Sequence, residues 1–204
     1  MNELMVNIDA VKEILNTSSQ SAAAAFRAVV DADVAVHVSQ VELVDKTVMN
    51  HTRCCFLVNA QTMTMRFDGM LNGLSVMTFT DRAVRLLTEK FFGKIEDTVE
   101  QALMSEGLVI EVGNIVLNAF MGAIGNAMGI QLEYQVPEMS TFNVVEIINQ
   151  METPKLLVAH AELNVVGLDL TQEILVSLSL PSFQALVTMT EQFIPTHTSL
   201  ALSE

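Results

Sequence analysis

The sequence predicts a mixed α and β (α+β) chain that carries the same plan twice. Three observations predict it. Long helical stretches and short strand-like runs follow one another in the same order in both halves. Residues of like type recur at a spacing of 98. Half of the 204 residues are hydrophobic and about one in twenty is aromatic, enough apolar material for one good-sized core or two small similar ones fused.

In the first half, apolar residues at helical spacing run over residues 3–30, mildly interrupted by Asp9, Ser18 and Ser19. A strand-like run follows at 34–38, and another begins at 53–58 and extends towards Phe67. Asp68-Gly69 is a hairpin turn signal, and 74–79 reads as the next strand. Residues 81–92 read as a helix, with Thr80 as its N-cap and Gly93 as its stop. The second half repeats the order. A long helical pattern covers 95–127, a strand covers 130–136 and ends at Pro137, and a short helix covers 143–151. Strands follow at 155–166 and 174–180, and a helix starts after Pro181-Ser182 and reaches about Phe193. The expected organisation is one unit over 1–193, made of halves 1–94 and 95–193, then a loose Ser/Thr-rich tail over 194–204.

Glu13 and Glu111, Asn16 and Asn114, and the hairpin glycines Gly69 and Gly167 all lie 98 residues apart. After that glycine the register slips by about three residues, as a longer second hairpin requires. Little else is identical between the halves, which reads as an old duplication with pseudo-twofold symmetry.

Ten Lys plus Arg against 24 Asp plus Glu give a net charge of −14. This excludes the basic stripe that a phosphate backbone demands, and it disfavours anionic membrane surfaces. Residues 112–132 carry no formal charge, but Asn114, Asn118, Asn126 and Gln131 are costly in lipid, so the stretch reads as a buried amphipathic helix. The acidic N-terminus has no basic leader region, and the adjacent Cys54 and Cys55 would point to opposite faces of a strand. Nothing suggests an oxidising compartment, so the sequon at Asn50-His51-Thr52 carries no weight and the cytoplasm is the expected location.

On a wheel of 100° per residue, Asp9, Glu13, Asn16 and Gln20 fall within about 60°. Val11, Ile14, Ala22, Ala25 and Val29 lie opposite. In the second long helix, Gly107, Glu111, Asn114, Asn118 and Gly122 make the matching stripe, facing away from Val109, Val112, Val116, Phe120 and Ala123. Each helix thus shows a carboxylate and a carboxamide one turn apart. Glu-x-x-Asn alone is a weak signal: about one match is expected by chance and three occur, the third at Glu146 without a counterpart in the other half. Most exposed Glu and Asn are simply solvated. Position, shared face and shared offset give the first two their weight.

Here the chain resembles the CheC/CheX/FliY family of chemotaxis phosphatases, most of all CheC. The family signature is Asp or Ser, three residues, Glu, two residues, Asn, then about 22 residues and Pro. Asp9, Glu13 and Asn16 match it in the first half, with Ser39 at the proline position. Glu111, Asn114 and Pro137 match it in the second, with Gly107 at the Asp/Ser position. The string EVGNIVLNAFMGAIGNAMG is close to what CheC proteins carry. The resemblance covers about residues 1–193. Two tandem half-matches are typical of CheC, whereas FliY adds a flagellar-switch domain, which is not expected within these 204 residues.

The resemblance implies one continuous, largely antiparallel sheet, with the two long helices packed side by side and their Glu/Asn faces outward. It implies hydrolysis of the aspartyl phosphate of a CheY-like response regulator. Asn16 and Asn114 would place the attacking water, and Glu13 and Glu111 would engage a lysine of the partner. Asp9 and Pro137 would play supporting parts. No cofactor of its own is implied, because the partner brings Mg²⁺, and a CheD-like deamidase is a further candidate partner. The rival reading is a binding module without activity, like the middle domain of the flagellar switch protein FliM; a third is a ligand sensor, which a deep apolar cavity would favour. Histidines 37, 51, 160 and 197 show no metal-ligand spacing, His37 reading as a core or edge residue. CxxC, GxSxG, GxGxxG and P-loop patterns are missing from the sequence. The glycines 122, 125 and 129 read as close helix packing, and Met63, Met65, Met70 and Met77 as core filler.

Overall fold

The computed structural model describes residues 2–45, 60–140, 144–151, 154–168 and 170–193. Helix α1 (Asn2–Val30) leads into β1 (Val34–Asp45). Strands β2 (Ala60–Asp68) and β3 (Gly73–Thr80) form a hairpin, followed by α2 (Asp81–Phe92). Helix α3 (Thr98–Met128) opens the second half. It is followed by β4 (Glu133–Tyr134), β5 (Glu138–Ser140), the short α4 (Val144–Asn149), the hairpin β6 (Lys155–Val165) and β7 (Leu170–Ser179), and α5 (Leu180–Phe193).

Local chemistry explains most boundaries. Thr80 Oγ1 accepts from the Ala83 N–H at 3.0 Å, and Gly93, at φ +75°, ends α2. Helix α3 starts three residues later than the periodicity suggests. Asp97 is the reason: its carboxylate accepts from the N–H groups of Val99 and Glu100 at 2.8 and 3.0 Å. The helix stops at Gly129 in the left-handed conformation. Strand β1 runs far beyond Val38, because an edge strand tolerates the polar residues that hide its alternation. The expected strand over 130–136 is instead two short pieces, β4 and β5, flanking Pro137. The expected strand at 53–58, the cysteine pair, the sequon and the tail lie outside the described residues.

Among the described residues, seven strands form one antiparallel sheet in the order β1-β6-β7-β3-β2-β4, with β5 also on β2. Its centre is the β3–β7 pair. Each half keeps its own hairpin, but β1 pairs with β6 of the second half and β4/β5 pair with β2 of the first. The two halves therefore complete each other's sheet about an approximate twofold axis. Ala60 pairs with Thr80 and Leu156 with Ser179, so the second hairpin is three residues longer between equivalent capping residues. Both exchanged edges carry one extra residue. In β1 the shift falls at Ser39; on the other edge it falls between Tyr134 and Glu138, around Pro137, 98 residues on.

One face of the sheet is covered by α1, α2, α3 and α5, and the main core lies between. It includes Phe26, Met63, Met65, Phe67, Met77, Phe79, Leu117 and Phe120; Met70, by contrast, is exposed. Helices α1 and α3 pack against each other. By length and composition α3 is apolar enough to cross a membrane, but its buried side is part of this core. The opposite face has a smaller cluster in which Ile147 and Ile148 of α4 meet Leu74, Val76, Leu156, Val158 and Leu175.

Candidate active site

The candidate residues sit where two constraints leave them. Each long helix must bury one stripe. On α1 the stripe of Val11, Leu15, Ala22, Phe26 and Val30 is buried, and Ser18 and Ser19 are buried within it. Ser18 Oγ satisfies itself on the Ile14 carbonyl at 2.8 Å. Glu13, Asn16 and Gln20 are left exposed. On α3 the stripe of Val109, Val112, Val116, Phe120 and Ile124 is buried. Glu111 is exposed, and Asn114 and Asn118 are half-buried. The α3 stripe is bordered by Gly107 and Gly122, and a Cβ at either would meet open space. Among the described residues, no neighbour approaches Gly122 closely enough to require a glycine, whereas a Cβ on Gly125 would press against the Ile130 carbonyl.

The two carboxamides differ in what holds them. Asn118 Nδ2 donates to Asn114 Oδ1 at 2.6 Å and to the Asn114 carbonyl at 2.8 Å. One acceptor lone pair of Asn114 is thereby engaged, and its second lone pair and amide N–H groups have no hydrogen-bond partner among the described residues. At the position of Asn118, α1 carries Gln20, and no hydrogen bond from it to Asn16 is found among the described residues. Thr17 Oγ1 donates to the Glu13 carbonyl and Ser21 Oγ to the Thr17 carbonyl, so this part of α1 is laced to its own backbone. Asp9 lies on α1, with its side chain outside what the structure describes. Pro137 is buried at the bulged edge. Ser39 has found other work: its Oγ lies 2.6 Å from His160 Nδ1 on the far face of the sheet.

His37 is exposed on the edge strand β1. The sequence reading missed a grouping that only strand register reveals. His160, Glu162 and Glu173 bring one donor atom each to within 4.8 Å of one another. The linear signal is His-x-Glu on a strand, completed by a carboxylate across the hairpin. An open groove of about 500 Å³ lies beside α2 and α3, rimmed by Gln61, Asp81, Arg85, Gln101 and Glu106. It is not the deep apolar cavity that a ligand sensor would need.

No protein-family model and no curated protein sequence matches the chain. Solved structures do. FliY from Thermotoga maritima superposes with a TM-score of 0.69 at 18% identity, over 91% of this chain and 96% of that one. CheX from Borrelia burgdorferi, solved in a complex with CheY, BeF3 and Mg²⁺, gives 0.58 at 14% identity over 84% and 99%. The FliM middle domain from H. pylori gives 0.59 at 8% identity over 90% and 97%. The chain has the fold that these proteins share.

Proposed function

We propose that the protein is a phosphatase acting on the aspartyl phosphate of a CheY-like response regulator, in chemotaxis or a related two-component circuit of the cytoplasm. The observation that carries this reading is the pair of Glu-x-x-Asn stripes, at equivalent places on two paired helices, turned away from the core. The fold, shared with a CheX that was solved bound to CheY, supports it.

An acyl phosphate already has a good leaving group, and what a catalyst must add is a water placed for in-line attack. A carboxamide can accept from that water and donate towards a phosphoryl oxygen without becoming charged. Asn16 and Asn114 take this role. The water oxygen bonds to phosphorus, the bond from phosphorus to the aspartyl oxygen breaks, and the carboxylate leaves with the electron pair. The water's proton passes to the phosphate formed or to solvent. Glu13 and Glu111, one turn earlier on the same faces, pair with a partner lysine and set the docking register, as the family resemblance implies. The partner's own Mg²⁺ neutralises phosphoryl charge, and this chain needs no cofactor for the step. A CheD-like deamidase remains a candidate second partner on the same resemblance.

The alternative, binding without turnover, is favoured by the likeness to the FliM middle domain and by the departures at Ser39 and Gly107. Decay of the phosphorylated regulator, followed with and without the protein, separates the two. Acceleration that is lost when both Asn16 and Asn114 become Ala supports the phosphatase. Saturable binding of the regulator with an unchanged decay rate would establish the binding module instead.

A further inference from the structure

We propose that the sheet face opposite the Glu/Asn helices holds a divalent transition-metal ion of the zinc type, ligated by His160, Glu162 and Glu173. His160 and Glu162 are two apart on β6 and so share a face, and Glu173 on β7 is paired directly with Glu162. His160 Nε2 lies 3.6 Å from Glu173 Oε1, a separation suited to two ligands that each bond a metal at about 2.0–2.2 Å. The mixed set of one imidazole and two carboxylates suits Zn²⁺ better than Ca²⁺, which prefers an all-oxygen shell.

The strand pairing and a neighbouring carboxylate outside the cluster also argue for a cation. Like charges set directly opposite across a strand pair repel, and burial raises the cost. Glu173 is only 8% exposed, yet its register partner is another carboxylate. Glu42 lies on the same face two residues further along β1 than Gln40, which pairs with His160. Its Oε1 is buried with no hydrogen-bond partner among the described residues. A polar row crosses the sheet here, from His37 through Glu162, Glu173 and Thr78 to Thr62, beside the apolar cluster under α4. Thr78 Oγ1 reaches Glu173 Oε2 at 3.5 Å, leaving Oε1 on the His160 side. Ser39 Oγ lies 2.6 Å from His160 Nδ1 and can donate to the His160 carbonyl at 3.4 Å. With the hydroxyl proton on that carbonyl, Nδ1–H donates to Ser39 Oγ and the Nε2 lone pair faces the carboxylates. This is how a ligating histidine is normally held. The ion would clamp β6 to β7 and, through Ser39, steady the bulge of β1.

The test is titration of the metal-stripped protein with ZnCl₂ by calorimetry, alongside thermal melts, on wild type and on His160→Gln, Glu162→Gln, Ser39→Ala and His37→Gln. The expected result is one Zn²⁺ per chain and a higher melting temperature. Binding should weaken by more than about tenfold in His160→Gln and Glu162→Gln, and by about tenfold in Ser39→Ala. It should be unchanged in His37→Gln. Circular dichroism of the apo variants establishes that each is folded. If His160→Gln does not fold, Glu162→Gln carries the test. Absence of saturable binding, affinity equal to wild type in both ligand variants, or dependence on His37 in their place would overturn the proposal. Regulator dephosphorylation plays no part in this readout, so its outcome is independent of the function proposed above.

Discussion

Helices α1 and α3 carry a Glu and an Asn at a common offset but surround them differently. On α3, Asn118 fixes Asn114, glycines clear the flanks, and both helix ends are capped by residues that the structure describes. On α1, Gln20 stands in for Asn118, Ala24 for Gly122 and Asp9 for Gly107, and two neighbouring hydroxyls bond back to the helix. The proposed phosphatase chemistry asks only for a carboxamide and a carboxylate one turn apart, which both helices keep while their surroundings differ. Orientation is where the divergence should register, because a side chain already held loses less entropy when the partner docks.

The largest expected effect removes what the helices share. Replacing both Asn16 and Asn114 by Ala should reduce accelerated decay by about 100-fold or more, as loss of a positioning group typically does. The single variants then divide the activity between the helices, with Asn114→Ala the more damaging. Phosphorylated-regulator decay measures all three. Next comes the difference in support. In the Asn16→Ala background, Asn118→Ala should cost a factor of about 2–10, the worth of one hydrogen bond. Gln20→Ala in the Asn114→Ala background should cost little. Equal losses would show that the two carboxamides are supported alike. Gly122→Ala makes α3 resemble α1 at a position with room for a methyl group. It should add about 0.5–1 kcal/mol of stability in urea denaturation with decay rates unchanged.

The smallest effect concerns the α3 cap. The backbone N–H groups of Glu100 and Val99 hold the Asp97 carboxyl below its usual 3.8. A depressed folded-state value stabilises the fold above the unfolded value and loses that contribution as pH falls through the folded one. Asp97→Asn keeps the cap without the charge. Wild type should therefore lose stability relative to Asp97→Asn as pH drops from above 4 to below the depressed value. Parallel denaturation curves over that range would remove the charge from the account.

Much of this was legible in the sequence, for reasons that differ by element. The long helices and their polar stripes follow from 3.6-residue periodicity, and Thr80 and Gly93 act through neighbours in the chain. The register slip of three residues was visible because turn glycines anchor each hairpin. Strand β1 extends beyond its alternating stretch because Ser39, Gln40 and Glu42 break the pattern while their partners lie more than 100 residues away. The His160, Glu162 and Glu173 grouping was illegible for the same reason: its geometry belongs to the pairing of β6 with β7, not to spacing along one segment.

The exchange of edge strands has a consequence for assembly. Val34 pairs with Val165, so an early stretch of chain must wait on the ribosome for a mate that emerges 131 residues later. Closing so long a loop is entropically slow, and until it happens the waiting ribbon is a sticky surface for other chains. A fragment that stops after the first half would meet the same difficulty permanently, and its simplest escape is to trade strands with a second copy of itself.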